Sequence, residues 1–293
     1  MISIVIVNYN VKRYLEQCIQ SICNSIVDVQ FEIVVIDNNS NQSISHLSKK
    51  NIKIFNLNKN IGFSSAVNYG ISKSLGNYIL ILNPDTLIQE NTINILYKYL
   101  NENNDVGVVG CKVLNSDGSY QLSSKRRFPY LKVLFPLFLK LDKIFSKSNF
   151  FGSYNYTHEN HDNLLDVDSV SGSCMMFSRK LFEDVGGFDE NYFLYFEDTD
   201  FCLRVKKNNF RVVYNPDTSV IHYKGESLRT SNYDIKNEFY NSMIYFFKKY
   251  QYEYPNWFLL SKVMSFIKIA RKLYNFLDNN KSKLISMFYD CVI

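Results

Sequence analysis

The residues of this chain with chemistry to offer are acids and amides that follow short apolar runs. Ile4 to Val7 leads into Asn8-Tyr9-Asn10, Phe31 to Ile36 into Asp37-Asn38-Asn39-Ser40, and Tyr78 to Leu82 into Asn83-Pro84-Asp85. Asn60-Ile61-Gly62-Phe63 stands just past a further run, Ile52 to Leu57. A carboxylate at the exit of a buried strand can hold a hard divalent cation against a diphosphate, since Mg²⁺ and Mn²⁺ take oxygen ligands, and Asp85 is placed for that work. Asn-Pro-Asp-Thr is equally good turn or cap chemistry, so Asp85 alone decides nothing. Asp37 closes Val-Val-Ile-Asp. Its carboxylate would accept hydrogen bonds from a pyrimidine nucleotide's base or ribose, or cap the segment that follows.

A second acidic group is denser. Gly186-Gly187-Phe188-Asp189-Glu190 precedes an aromatic stretch and then Glu197-Asp198-Thr199-Asp200 at the start of a helical pattern. The helix dipole stabilises ionised carboxylates there, while three acids within four residues repel one another and raise at least one pKa. Helix capping by Glu197 or Asp198 is the plainer alternative. His222, in Ile221-His222-Tyr223-Lys224-Gly225-Glu226-Ser227, ends a strand beside a lysine and a turn. A lone histidine is usually structural. Beside a diphosphate, however, His222 as a metal ligand with Lys224 or Ser227 on phosphate forms a coherent set.

The elements that must position these residues are readable. The four apolar runs are rich in Ile and Val and nearly continuous, which predicts strands buried on both faces and hence parallel. Between them Tyr14, Leu15, Cys18, Ile19 and Ile22, and then Ala66, Val67, Gly70 and Ile71, recur at helical spacing. This βαβ alternation predicts an α/β fold in which ligands collect at the carboxyl ends of strands. A helix near Glu90 to Asn101, a strand at Val106 to Leu114 and a turn at Asn115-Ser116-Asp117-Gly118 follow. Residues 119 to 165 lack clean periodicity and read as a long insertion or mobile loop around the basic stretch Lys125-Arg126-Arg127-Phe128-Pro129. Strands are expected near Val167, Cys174 to Phe177, Arg211 to Tyr214 and Val220 to His222. Helices are expected at Asp198 to Lys207, 234 to 250 and 257 to 277.

Composition narrows the function. The 293 residues are 46% hydrophobic and carry a formal net charge of only +5, which excludes disorder and opposes a dedicated nucleic-acid binder. Six scattered cysteines, with no zinc spacing, fit a reduced cytoplasmic compartment. The start runs straight into a strand without a signal-peptide pattern, and no apolar run approaches the roughly 20 residues of a spanning helix. After the first strand, where a dehydrogenase would carry Gly-x-Gly-x-x-Gly, the chain reads Asn8-Tyr9-Asn10-Val11-Lys12-Arg13. A Walker A loop and the glycine-rich loop of nucleotidyltransferases are also missing.

Taken together, these residues resemble the inverting glycosyltransferases of family 2, nearest to the rhamnosyltransferase-like bacterial branch. The resemblance rests on Val7-Asn8-Tyr9-Asn10, Val35-Ile36-Asp37-Asn38-Asn39-Ser40, Asn60 through Gly70, Leu82-Asn83-Pro84-Asp85, Val170-Ser171-Gly172-Ser173-Cys174, Gly187-Phe188-Asp189-Glu190, Glu197-Asp198-Thr199-Asp200 and His222-Tyr223-Lys224-Gly225. These motifs run in the family's order across residues 1 to 227. The resemblance implies a GT-A nucleotide-sugar-binding fold, with a mostly parallel central sheet flanked by helices. A catalytic domain would span 1 to 230, with a nucleotide half to 115 and an acceptor half from 116, and a helical extension would fill 231 to 293. It further implies that Asn8, Asn10, Asp37, Asn60, Gly62, Asn68, Asn83, Lys224 and Ser227 contact a dTDP- or UDP-linked sugar. Asp85, with His222, would hold Mg²⁺ or Mn²⁺ on the diphosphate. Asp198 would be the general base that activates a hydroxyl of a glycan or lipid-linked acceptor in cell-surface polysaccharide synthesis, with Glu197 and Asp200 supporting it. Two positions depart from the family: Asn83 replaces the first acid of its Asp-x-Asp motif, and Asn209 replaces a glycine after the catalytic helix, a place asparagine tolerates. A non-catalytic nucleotide-sugar-binding module and a nucleotidyltransferase on a related fold are the competing readings.

Charge also concentrates. Residues 125 to 145 hold six basic side chains and one acid, and 255 to 277 hold four basic and no acid. In the second segment Ser261, Ser265, Lys268, Lys272 and Asn275 oppose a broad face that includes Leu259, Leu260, Val263 and Phe266. That pattern predicts an interfacial helix for a peripheral membrane contact, against packing on the catalytic domain or a homodimer contact.

Overall fold

The computed structural model describes residues 1–223, 234–254, 256–266 and 268–269. Lys224 and Ser227 lie outside these residues, as does the expected last helix beyond 269. Contacts divide the chain into two compact units, Met1–Tyr233 and Asp234–Ile293.

In the first unit the apolar runs form β1 (Ile2–Asn8), β2 (Phe31–Asp37), β3 (Ile52–Asn56) and β4 (Tyr78–Leu82). They are parallel neighbours in the order β3-β2-β1-β4. The crossover helices α1 (Lys12–Cys23) and α2 (Phe63–Lys73) cover the sheet. Helix α1 buries Leu15, Cys18, Ile19 and Ile22, the spacing of one helical face. Helix α2 approaches more closely: a Cβ on Gly70 would stand 2.6 Å from Val5 Cγ1, so glycine lets helix backbone rest on the sheet.

The chain continues through β5 (Thr86–Ile88), α3 (Thr92–Glu102), β6 (Val106–Leu114), β7 (Lys125–Arg126), α4 (Leu131–Phe138), α5 (Leu141–Ile144), β8 (Leu165–Asp166) and β9 (Ser169–Val170). It ends this unit with β10 (Cys174–Ser178), α6 (Arg179–Asp184), α7 (Glu197–Lys207) and β11 (Arg211–His222). The main sheet runs β3-β2-β1-β4-β10-β6-β11-β5, with β8 on β11, and β7 pairs β9 in a small second sheet. Strand β10 inserts antiparallel between β4 and β6, while β11 lies parallel to β6. The result is a mostly parallel central sheet flanked by helices, and the segments before and after residue 115 share it.

Two expectations are corrected. The strands expected at 211–214 and 220–222 are one strand whose register breaks between Asn215 and Ser219. Pro216 stands in the break and has no N–H for a ladder, so hydrophobicity falls there although the strand continues. Residues 119–165 are not a free loop. Gln121 N–H donates to Val113 O at 2.9 Å, Ser124 Oγ accepts from Val113 N–H at 3.1 Å, and β7 pairs with β9. Such side-chain-to-backbone bonds leave no period in a sequence.

In the second unit α8 (Ile235–Lys249) starts on Asp234, whose carboxylate accepts from Asn237 N–H at 3.0 Å. Trp257, fully buried, packs against Phe246, Phe247, Tyr250 and Tyr254. Residues 256–266 are helical, with Leu259, Val263 and Phe266 of the expected apolar face exposed. Leu260 and Ser261 differ, both being buried. The Ser261 hydroxyl donates to Phe258 O at 2.8 Å, which satisfies it inside the helix and lets it face the packed side. No helix among the described residues is long and apolar enough to cross a membrane.

Candidate active site

The ends of β1 and β2 meet in one polar network. Their register pairs Asn8 with Asp37. Asn8 Nδ2 donates to Asp37 Oδ1 at 2.7 Å and to Ser40 Oγ at 3.0 Å, and Ser40 Oγ also accepts from Asn10 N–H at 2.9 Å. Asn8 Oδ1 is buried with no hydrogen-bond partner. Asn10 and Asn39 take left-handed conformations, φ +58° and +68°, that asparagine tolerates better than most residues.

The loop after β3 is pinned to this network by Asn38. Its amide donates to Asn60 Oδ1 at 2.8 Å and to Gly62 O at 3.2 Å, while its Oδ1 accepts from Ile61 N–H at 2.9 Å. Gly62 has φ +84°, and a Cβ there would meet Phe193 O at 2.8 Å, so both conformation and space demand glycine. Asn68 faces elsewhere: it clasps the 186–190 turn, donating to Phe188 O at 2.8 Å and accepting from Phe188 N–H at 3.0 Å.

Asp85 and His222 are brought together by register. Strand β11 pairs His222 with Thr86, and Tyr223 N–H donates to Asp85 O at 2.9 Å. Asp85 Oδ1 then stands 3.2 Å from His222 Nε2, and Asn83 Nδ2 stands 3.3 Å from the same nitrogen. His222 Nδ1 faces Gln121 Oε1 at 3.0 Å; in the tautomer with the proton on Nδ1, the Nε2 lone pair is left between the Asn83 amide and the Asp85 carboxylate. Two acceptors facing one another require a cation or proton between them. Ligands in cis on an octahedral Mg²⁺ or Mn²⁺ stand about 3 Å apart, and a ligating imidazole characteristically donates its other N–H to such an acceptor. The pair therefore fits a divalent cation. Among the described residues no third His, Cys, Asp or Glu joins it, so most of the coordination shell would come from diphosphate and water.

Asp198 lies across one short loop from that pair. Gly172 N–H donates to Asp198 Oδ2 at 3.0 Å, and the next residue, Ser173, accepts through its carbonyl from Asn83 N–H at 3.0 Å. Arg126 Nη2 also donates to Asp198 Oδ2, at 2.5 Å, and Thr199 donates to Oδ1 through its N–H at 2.7 Å and its hydroxyl at 3.2 Å. Glu197 is buried with Oε2 unpartnered, and burial together with the Asp198 charge pushes it up to about 8. Asp200 turns inward: it is fully buried and accepts from Arg204 Nε at 2.8 Å and Tyr192 Oη at 3.2 Å.

Sequence reasoning missed Gln121 and Arg126. One segment, held by Ser171 N–H donating to Ser124 O at 3.1 Å, delivers Gln121 to His222 and Arg126 to Asp198. The basic run at 125–127 was the visible signal.

The sequence profile of glycosyl transferase family 2 matches residues 3–186, more than half of the chain, and the chain belongs to that family. A profile described as the N-terminal domain of galactosyltransferase matches residues 156–225. The low-salt glycan biosynthesis hexosyltransferase Agl10 of Haloferax volcanii is 28% identical over 250 residues, 83% of this chain and 74% of the relative. The N-acetylglucosaminyl-diphospho-decaprenol L-rhamnosyltransferase of Mycobacterium tuberculosis is 25% identical over 241 residues, 78% and 77% of the two chains. Rhamnosyltransferase WbbL of Escherichia coli is 26% identical over 234 residues, 76% and 83%. Among solved structures, S. aureus TarS in complex with UDP-GlcNAc aligns with a TM-score of 0.57 at 18% identity, covering 85% of this chain and 66% of that one. The mannosyltransferase PcManGT of Pyrobaculum calidifontis, solved with GDP-Man and Mn²⁺, gives 0.56 at 17% identity, covering 85% and 63%. At those identities the likeness shows the fold, which is GT-A. The chain is a glycosyltransferase.

Proposed function

We propose that this enzyme transfers a hexose, rhamnose or a near relative, with inversion, from a dTDP- or UDP-linked donor to a hydroxyl of a glycan or lipid-linked acceptor in cell-surface polysaccharide synthesis. The observation that carries the proposal is the loop Ser171-Gly172-Ser173, which holds Asp198 on one side and Asn83, beside Asp85 and His222, on the other. A base and a diphosphate site separated by one loop suit a single displacement. Asp198 takes the acceptor's proton as that oxygen attacks the anomeric carbon, and the nucleoside diphosphate departs from the opposite face. Asp37, Asn8 and Asn10 hold the nucleoside at the β1–β2 end. A divalent cation on Asp85 and His222 would neutralise the charge of the leaving diphosphate. The Mycobacterium relative, an N-acetylglucosaminyl-diphospho-decaprenol L-rhamnosyltransferase by name, supports the choice of sugar and of a lipid-linked acceptor, and the UDP-GlcNAc bound to TarS supports a UDP-linked donor.

The enzyme works in the cytoplasm at a membrane face. In support, Cys18, Cys23, Cys111, Cys174 and Cys202 are free thiols. Phe135, Leu139, Ile144, Phe145 and Phe150 are at least half exposed, interleaved with Lys132, Lys140, Lys143 and Lys147. The test of the activity is release of nucleoside diphosphate from a panel of dTDP- and UDP-sugars, with the product anomer read by proton NMR and a chelator arm. Release that stops with chelator and an inverted product are expected. A retained anomer would overturn the single displacement.

A further inference from the structure

The Asp198 carboxylate is full. An ionised carboxylate offers about four lone-pair sites, and here two donors sit on each oxygen: Arg126 Nη2 and Gly172 N–H on Oδ2, Thr199 N–H and hydroxyl on Oδ1. A base in this state has no lone pair for an arriving hydroxyl. The backbone donors cannot leave without moving the loop or the helix, and Thr199 is buried, so the site it covers faces protein. Arg126 differs. Its side chain retains 19% exposure, and its Nε is buried with no hydrogen-bond partner, so the guanidinium fork is incompletely used while it rests on Asp198. A phosphate oxygen pair would use that fork fully. The segment is basic in sequence, residues 125–147 carrying seven basic side chains against one acid, Asp142, while Lys125 and Arg127 themselves turn to Tyr214 and Tyr156 and leave Arg126 as the guanidinium at Asp198.

We infer that Arg126 is an acceptor-recognition residue that masks the base, and that it passes from Asp198 to a phosphate group on the acceptor as the acceptor binds. The inference rests on the reading of Asp198 as general base. When the guanidinium moves, Oδ2 regains a lone pair facing the acceptor hydroxyl. The acceptor oxygen then loses its proton to Oδ2 and forms a bond to the anomeric carbon, whose bond to the diphosphate oxygen breaks with the electron pair leaving on that oxygen. Water, which brings no anion, leaves the mask in place, so donor hydrolysis is suppressed.

Competition between Asp198 and phosphate for one guanidinium has a signature that a structural ion pair lacks. Butyl diphosphate is titrated calorimetrically into the full chain, with excess UDP and Mg²⁺ present to fill the donor site. Arg126→Gln should bind it at least tenfold more weakly than wild type, with partial recovery in Arg126→Lys. Asp198→Asn, which removes the competitor, should bind it severalfold more tightly. Unchanged or weaker binding in Asp198→Asn overturns the inference, and that arm stands even if the arginine variants fail to fold. A parallel titration with a glycerol phosphodiester separates a lipid-type diphosphate from a polymer phosphate as the source of the anion. The base reading fails separately, if Asp198→Asn keeps wild-type turnover.

Discussion

Asp198 and Glu197 are neighbouring acids in opposite situations. Asp198 collects four donors, whereas Glu197 is buried with Oε2 unpartnered, so repulsion between them is relieved by a proton on Glu197. Burial and the neighbouring Asp198 charge push Glu197 up to about 8, so Glu197 holds a proton at neutral pH. The same shift enters stability. The folded chain holds this proton to higher pH than the unfolded chain, whose glutamate titrates near 4.5, so between about pH 4.5 and 8 stability falls as pH rises. Glu197→Gln removes that contribution. Thermal unfolding at pH 5 and pH 8 should show a smaller loss in the variant than in wild type, and equal losses would refute the assignment.

Helix α7 is the element on which the site turns. Tyr195 and Phe196, both in the left-handed region at φ +70° and +66°, aim its start, and its acids and its last-turn Arg204, Lys206 and Lys207 suit the helix dipole at either end. Asn209, at φ +63°, takes the left-handed place after the helix that the sequence expected of it. Asp200 anchors the first turn through Arg204 and Tyr192 in a fully buried site. Breaking a buried pair leaves a charge without its partner, so Asp200→Ala should cost about 3–5 kcal/mol in urea unfolding. A loss below about 1 kcal/mol would show the pair to be incidental. The strands and their polar ends were legible because Ile and Val runs stop abruptly at Asn8, Asp37 and Asn83, and the Glu197 cluster because acids crowd a helix start. Gln121 and Arg126 were not legible as site residues. Their segment is fixed by Ser124 and by pairing with Ser169–Val170, contacts that depend on residues distant in sequence. Proline at 216 concealed the continuity of β11 for the opposite reason: a local break in a strand that tertiary pairing carries through.

For the whole molecule, exposed apolar side chains and lysines share the 131–150 segment of the first unit, and the exposed Phe258, Leu259, Val263 and Phe266 of the second lie near Lys262 and Lys268 in sequence. Each basic residue near an anionic leaflet contributes about 1 kcal/mol, enough in sum for reversible attachment. The full chain should sediment with phosphatidylglycerol vesicles at low salt and be released at high salt, and Ile144→Ser with Phe145→Ser should weaken it. A chain that stays in the supernatant at low salt would reassign these faces to a homodimer or to packing within the chain. The central claim is that Asp198 receives the acceptor's proton, and the most direct measurement compares wild type with Asp198→Asn for donor Kd and for turnover at saturating donor and acceptor. Unchanged donor affinity with turnover reduced at least about 10²-fold is the predicted result. Turnover at the wild-type rate would contradict it.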